Sequence, residues 1–319
     1  MSARRRTGRK LFRALLPVLL LAVLALVGLT AWMIYGAAHP TPRAYLVTPE
    51  QFAQLSDRGV KATDENWANH DGTRARGWLL RGAEGAPAVL LAHRYGADRS
   101  WLLNLGVKLN ETTNMTVLLP DLRGHGANPL VGATTFGSLE AEDLLAALDF
   151  LGGLKTAQGH PLVGESYGLY GVELGGYASL GAAQKRPGIT SLALDSVPDS
   201  SDDVLRTAVR GRTGFDSAVL SLMARIGARF YFSGYYRNNS TCTTAESLKD
   251  ARVLLLSGPD AGPLRASTEI LAKCFPNPTH VESLTDLPLS GYNVSSSAEQ
   301  GENYDRRVIE FFRLTLSKS

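Results

Sequence analysis

The chain has 319 residues with a formal net charge of +3, and much of that excess lies in the first 13 residues, MSARRRTGRKLFR. The length fits one α/β domain, with room for a second but no need of one, and the near-neutral body gives no sign of a nucleic-acid partner. Nor does the sequence show a ligand-rich spacing that would call for a metal or another cofactor.

In chain order, residues 14–36, ALLPVLLLAVLALVGLTAWMIYG, carry no charge. The run exceeds the roughly 20 apolar residues that a membrane crossing needs. Six Arg/Lys residues precede it, which places the N-terminus in the cytoplasm and the body outside it. Trp32 and Tyr35 suit the opposite interface. The other reading is a signal peptide cleaved at the small residues GAA, 36–38, which yields a secreted body. The run is longer than the usual apolar region of about 7–15 residues, so an uncleaved anchor is the preferred reading. Both readings export the body, where Cys242 and Cys274 suggest one disulfide. Two separate thiols are the other reading, since sequence supplies no geometry.

Residues 37–57 read as a connector. Two alternating segments follow around Asp71-Gly72, a hairpin signal. Residues 88–92 and 116–119 read as buried strands, each leading into a glycine-containing loop. SLEAEDLLAALDFLGGL has helical spacing, with acids in its first turns. YGLYG reads as a strand and LGGYASLGAAQK as a helix. ITSLALDSVP is a further strand. Residues 199–250 are less regular, with a helical piece at AVLSLMARIGARF. ARVLLLSGPDAG gives a strand and loop, ASTEILAKCF a helix, HVESLTDLP a strand, and NYDRRVIEFFRLTL a closing amphipathic helix. Strands alternating with helices predict a mostly parallel sheet covered on both faces, with its site beyond the carboxyl ends of the strands.

Several motifs stand in order between these elements. DLRGHGAN at 121–128 resembles the D-x-R-G-x-G-x-S loop of the α/β-hydrolase superfamily, in its serine aminopeptidase-like and monoglyceride-lipase-like branch. FGSLEAEDLLAALDFL resembles the helix after that loop. HRYGADRSWL resembles the loop after strand 3 that supplies one oxyanion-hole donor. The resemblance covers about residues 58–315. It implies an α/β-hydrolase fold over 58–319 with a lid region at 199–250, behind a basic segment 1–13, an anchor 14–36 and the connector.

The resemblance also implies a triad in the order nucleophile, acid, histidine. The nucleophile-elbow position reads Gly171-Val-Glu-Leu-Gly175, so Glu173 stands where serine is expected. Asp260 takes the acid position after strand 7. Tyr292 takes the histidine position, in SGYN. Tyr95 and Leu174 fall in the oxyanion-hole region. A rival match, GESYG at 164–168, centres on Ser166. It lacks a buried strand before it, and a glycine-rich stretch that disfavours helix follows it.

Glutamate has no hydroxyl proton for a base to take, and a carboxylate nucleophile would need a histidine to activate water in its second step. A tyrosine, with an ordinary pKa of about 10, is a poor base at neutral pH. Of the six histidines, His39, His70, His93, His125, His160 and His280, only His93 can approach the site, and a loop-ordering role is expected for it. The expected function is therefore a membrane-anchored, non-hydrolytic binding or scaffold protein. The alternative is a hydrolase of ester, amide or other small acyl substrates acting through Glu173 and Asp260 or through Ser166. In the first reading, Glu173 sits at a helix N-terminus that favours an anion, fills the oxyanion hole and accepts the Tyr292 hydroxyl, with Asp260 adding like charge.

Overall fold

A computed structural model describes residues 2–56, 61–292 and 299–316. Among these, eight strands form one sheet: β1 (Ala62–Ala68), β2 (Arg74–Leu80), β3 (Ala86–Ala92), β4 (Thr116–Pro120), β5 (Val163–Val172), β6 (Ile189–Asp195), β7 (Arg252–Leu256) and β8 (Val281–Leu284). The strand order is β1-β2-β4-β3-β5-β6-β7-β8. The β1/β2 and β2/β4 pairs are antiparallel and all the others parallel.

Burial explains the order. β3 carries Val89, Leu90 and Leu91 at 0% exposure, the continuous apolar run of a strand covered on both faces. In β1 only Trp67 is buried, as an edge strand allows. The β1–β2 turn falls at Asp71-Gly72 as expected, with Gly72 at φ 81° and Asp71 Oδ1 accepting the Thr73 N–H at 3.0 Å.

The helices Leu103–Thr113 and Glu299–Leu316 cover one face of the sheet through Leu103, Val107, Leu109, Val308 and Phe312. The helices Glu140–Gly152 and Leu174–Lys185 cover the other through Leu144, Leu148, Ala178 and Ala182. Three features depart from the sequence reading. The helix Leu103–Thr113 was not expected. β5 starts at Val163, ahead of Tyr167. Residues 199–250 hold three helices, Ser201–Thr213, Ala218–Tyr231 and Thr241–Ala245, where one was expected. Helix Ser201–Thr213 opens on a Ser200/Asp203 capping box and ends at Gly214 with φ 76°.

The D-x-R-G-x-G loop is a polar hub. Asp121 accepts the Tyr45 hydroxyl at 2.6 Å and the Arg99 N–H at 3.2 Å. A Cβ on Gly126 would sit 2.5 Å from Asp121 Oδ2, so only glycine lets the loop close over the carboxylate. Arg123 holds Asp143 through Nε at 2.6 Å and reaches Asp71 at 3.1 Å, tying the hairpin turn to the covering helix.

The first helix runs Ser2–Ala38, and its stretch Ala14–Ala38 is long and apolar enough to cross a membrane. Its end is not a free lead into a connector. Met33, Ile34, Ala37 and Ala38 are at most 1% exposed and belong to the same core as Phe136 and Leu174. The Ala37 carbonyl accepts the Tyr95 hydroxyl at 2.7 Å, and the Ala38 carbonyl accepts the Thr134 N–H at 2.9 Å. A short helix, Pro49–Ser56, follows within the connector. Cys242 and Cys274 form a disulfide, with their Cα atoms 5.2 Å apart.

Candidate functional site

Glu173 lies between the end of β5 and the helix Leu174–Lys185, at φ 48° and ψ −107°. A non-glycine residue at positive φ is strained, and here the packing imposes it. A Cβ on Gly175 would lie 2.2 Å from the Ala92 carbonyl oxygen, and one on Gly171 would lie 2.4 Å from the Gly175 backbone. The Glu173 N–H donates to the Asp195 carbonyl at 2.9 Å, fixing the turn to the end of β6. This is the geometry of a nucleophile elbow, with a carboxylate at its tip.

Ser166 has no such setting. It lies inside β5, seven positions before the elbow residue, with Tyr167 and Gly168 still paired to β3. The literal GESYG match is strand, and the reading of Ser166 as nucleophile is corrected on that ground: a residue in an irregular stretch of a strand, between the Val163 and Tyr167 pairs, is not presented at a strand-to-helix turn.

The Glu173 side chain is 0% exposed. Its Oε2 accepts the Tyr95 N–H at 3.0 Å. Among the described residues its Oε1 meets no donor in hydrogen-bond geometry, and the Leu174 N–H at the helix start lies close enough to favour the charged carboxylate. Burial pushes its pKa up to about 7, against the pull of the Arg94 guanidinium and of the two backbone N–H groups.

Arg94 packs its guanidinium on the rings of Trp101 and Tyr292, 4.8 and 4.7 Å from their centroids. The Tyr292 hydroxyl makes no hydrogen bond to Glu173 among the described residues, contrary to expectation; what the ring meets is the Arg94 guanidinium on its face. Burial and the nearby Glu173 charge both raise the Tyr292 pKa, so even less of it is ionised at neutral pH than of a free tyrosine.

Asp260 sits in the turn after β7 and accepts both the Ser290 N–H at 3.0 Å and the Ser290 hydroxyl at 2.9 Å. The Ser290 hydroxyl in turn accepts the Tyr292 N–H at 3.2 Å. The acid position is therefore spent on shaping the loop that carries the histidine position. The like charge of Asp260 falls on Asp195, and burial is what raises Glu173.

Sequence reasoning missed Asp195 as a site residue. It is fully buried at the end of β6, and its Oδ2 accepts the Gly291 N–H and the Tyr304 hydroxyl, each at 2.8 Å. Tyr304 is joined to the Tyr170 hydroxyl at 2.8 Å. Burial lifts the Asp195 pKa to about 6. Ser290, Arg94 and Tyr304 were missed with it. The one signal available was a lone acid, Asp195, in the otherwise uncharged predicted strand ITSLALDSVP.

His93 is an ordering residue. One ring nitrogen contacts the Arg94 carbonyl at 2.8 Å and the other accepts the Leu122 N–H at 3.0 Å. His125 packs edge-on against it at 5.2 Å. Burial lowers both pKa values to about 4. These two neutral rings contribute stability that is complete above their ordinary value of 6.5 and lost as pH falls towards 4. His93→Gln is expected to flatten the acid limb of the stability profile between those limits, read by thermal unfolding at stepped pH. The remaining histidines are engaged elsewhere: His39 stacks on Tyr35, His70 contacts Asp149, His160 contacts Glu84, and His280 precedes β8.

This backbone is shared with several solved structures. An esterase of Pyrococcus furiosus matches at TM-score 0.62 and 18% identity, over 88% of this chain and 98% of that one. The chain has the α/β-hydrolase fold. A thermophilic esterase of Thermogutta terrifontis matches at TM-score 0.56 and 19% identity, over 80% of this chain and 100% of its own. The proline iminopeptidase of Mycobacterium smegmatis matches at TM-score 0.53 and 15% identity, over 80% of this chain and 99% of its own. No protein-family model matches the sequence, and no curated protein sequence matches it significantly. In this α/β-hydrolase fold the elbow, the oxyanion loop and the two acid-bearing turns converge at the carboxyl ends of the strands, where such sheets place their sites.

Proposed function

We propose that this α/β-hydrolase-fold protein is non-hydrolytic and acts by binding or as a scaffold, held at a membrane by its N-terminal helix. The observation that carries the reading is Glu173: a buried carboxylate at the elbow, bonded to the Tyr95 N–H, with no histidine hydrogen-bonded to it. A serine elbow works because a histidine takes its proton and the oxyanion hole receives the developing charge. Here the first is lacking, and the second is occupied by the elbow residue's own carboxylate.

The membrane part of the reading is supported by the helix end. The residues at the candidate cleavage point are core residues of the domain, so cleavage there would remove Met33 and Ile34 from it. The Cys242–Cys274 bridge supports an oxidising compartment. The hydrolytic names of the structural neighbours describe those proteins.

The test is labelling of the purified full chain with a fluorophosphonate probe, beside an ester panel. The wild type is expected to take no label and turn over no ester. Glu173→Ser/Tyr292→His, which restores a hydroxyl and an imidazole to the elbow and the loop after β8, is expected to take label. Wild-type turnover that disappears in Glu173→Ala would overturn the proposal.

A further inference from the structure

The helix Ala218–Tyr231 packs directly on the apolar N-terminal helix. A Cβ on Gly227 would lie 2.7 Å from Thr30 Cγ2 and 3.0 Å from Ile34 Cγ1, so the two backbones cross in close contact. Beside this crossing an apolar groove of about 570 Å³ opens between the helices, lined by Leu26 and Val27 on one side and Met223, Ile226 and Phe230 on the other.

The depth of this groove follows from helix geometry. Trp32 and Tyr35 are half exposed or more, and the Arg212 guanidinium lies 4.8 Å from the Trp32 ring. An aromatic belt with an adjacent cation marks the membrane–water interface. At about 1.5 Å per residue, Leu26 lies roughly 9 Å below Trp32 on the hydrocarbon side. The groove runs from Leu26 and Val27 along Thr30 and Ala31 to Ile34; Gly227 meets the first helix at Thr30 and Ile34, and Tyr231, whose ring lies 6.4 Å from that of His39, marks its end at the aromatic belt.

The exposed face of the second helix matches that position. Val219, Leu222, Ile226 and Phe230 fall on one side and are 65, 49, 49 and 80% exposed. They form one stripe continuous with the exposed apolar surface of the N-terminal helix. Ser221 and Arg225 occupy the flank away from it, with Arg225 paired to Asp202 at 3.6 Å, and the exposed Arg229 lies at the edge of the stripe, where a cation can reach a headgroup.

We infer that the helix Ala218–Tyr231 is embedded in the leaflet on the domain's side of the membrane, with Val219, Leu222, Ile226 and Phe230 against lipid acyl chains and the groove filled by them. The inference rests on the reading of the N-terminal helix as a membrane span.

The test places a single nitroxide on the full chain in phosphatidylcholine/phosphatidylglycerol liposomes, through Leu24→Cys, Ile226→Cys, Phe230→Cys or Arg229→Cys in turn. All four side chains are exposed, so no label displaces a core residue. Collision with oxygen reports lipid and collision with a nickel chelate reports water. The expected result is an oxygen-to-nickel ratio at 226 and 230 several-fold above that at 229, with position 230, nearer the aromatic belt, below position 24. Lipid values at 24 with water values at 226 and 230 would overturn this inference and leave the span intact. Water values at 24 would overturn the span and this inference with it. Low access to both probes at 226 and 230 with dipolar broadening would mean that a second copy of the chain covers the face, which also overturns it.

Discussion

Glu173→Gln is expected to stabilise the protein by about 3 kcal/mol at pH 8 and to change it little at pH 4.5, taking 1.36 kcal/mol per unit of pKa shift. The folded-state pKa is raised to about 7 from an ordinary 4.5. Below 4.5 both folded and unfolded chains hold the proton. Between 4.5 and 7 the unfolded chain releases it first, so stability falls as pH rises. Above 7 the folded chain carries a buried carboxylate that receives one N–H on Oε2 and none on Oε1. Glutamine keeps an acceptor for the Tyr95 N–H and removes the charge. Asp195 titrates in the same range, raised to about 6, but is present in both chains and cancels in the difference. Thermal unfolding of wild type and variant in matched detergent at stepped pH checks the result. A difference that does not grow with pH would mean that the carboxylate is solvated, contrary to its enclosed position.

Cys242→Ser/Cys274→Ser is expected to lower stability by about 3–4 kcal/mol, as closure of a loop of this length implies. The bridge spans 32 residues. It joins the helix Thr241–Ala245, at the end of the 199–250 insertion, to the segment after the helix Pro263–Leu271. Between these points lies β7, so the bridge fastens the insertion to the layer that covers the sheet. Denaturant unfolding of the full chain with and without reductant checks it. The wild type under reductant should approach the double variant, while the variant should not respond to reductant.

The sheet was legible because its central strands are apolar on both faces and are separated by glycine-containing loops, a pattern that requires no tertiary knowledge. The positions of Glu173 and Tyr95 were legible for a related reason: Gly171, Gly175 and the glycines of the 121–126 loop mark places where backbones meet, and those constraints are local. The helix Leu103–Thr113 was not, because the residues between the loop ending at Leu102 and the strand at 116 were given no reading of their own. The site's wiring was least legible of all. Asp195 accepts from Gly291 and Tyr304, both about a hundred residues away, and Asp260 accepts from Ser290. No spacing rule brings those groups together. The Tyr292 hydroxyl was expected on Glu173, but the packed site brings Arg94 onto the ring and leaves that hydrogen bond unmade.

The burial of Met33, Ile34, Ala37 and Ala38 bears on what kind of part this domain is. In many tethered proteins a slack leash lets the folded unit tumble and be clipped free intact. Here the stalk and the unit share one core, so the chain has no dispensable leash between them. Severing it above the apolar helix would strip Phe136 and Leu174 of neighbours and leave the Tyr95 hydroxyl without the Ala37 carbonyl. The domain is not a portable module: its bearing relative to the stalk is set by packing, and the elbow pole keeps one fixed heading.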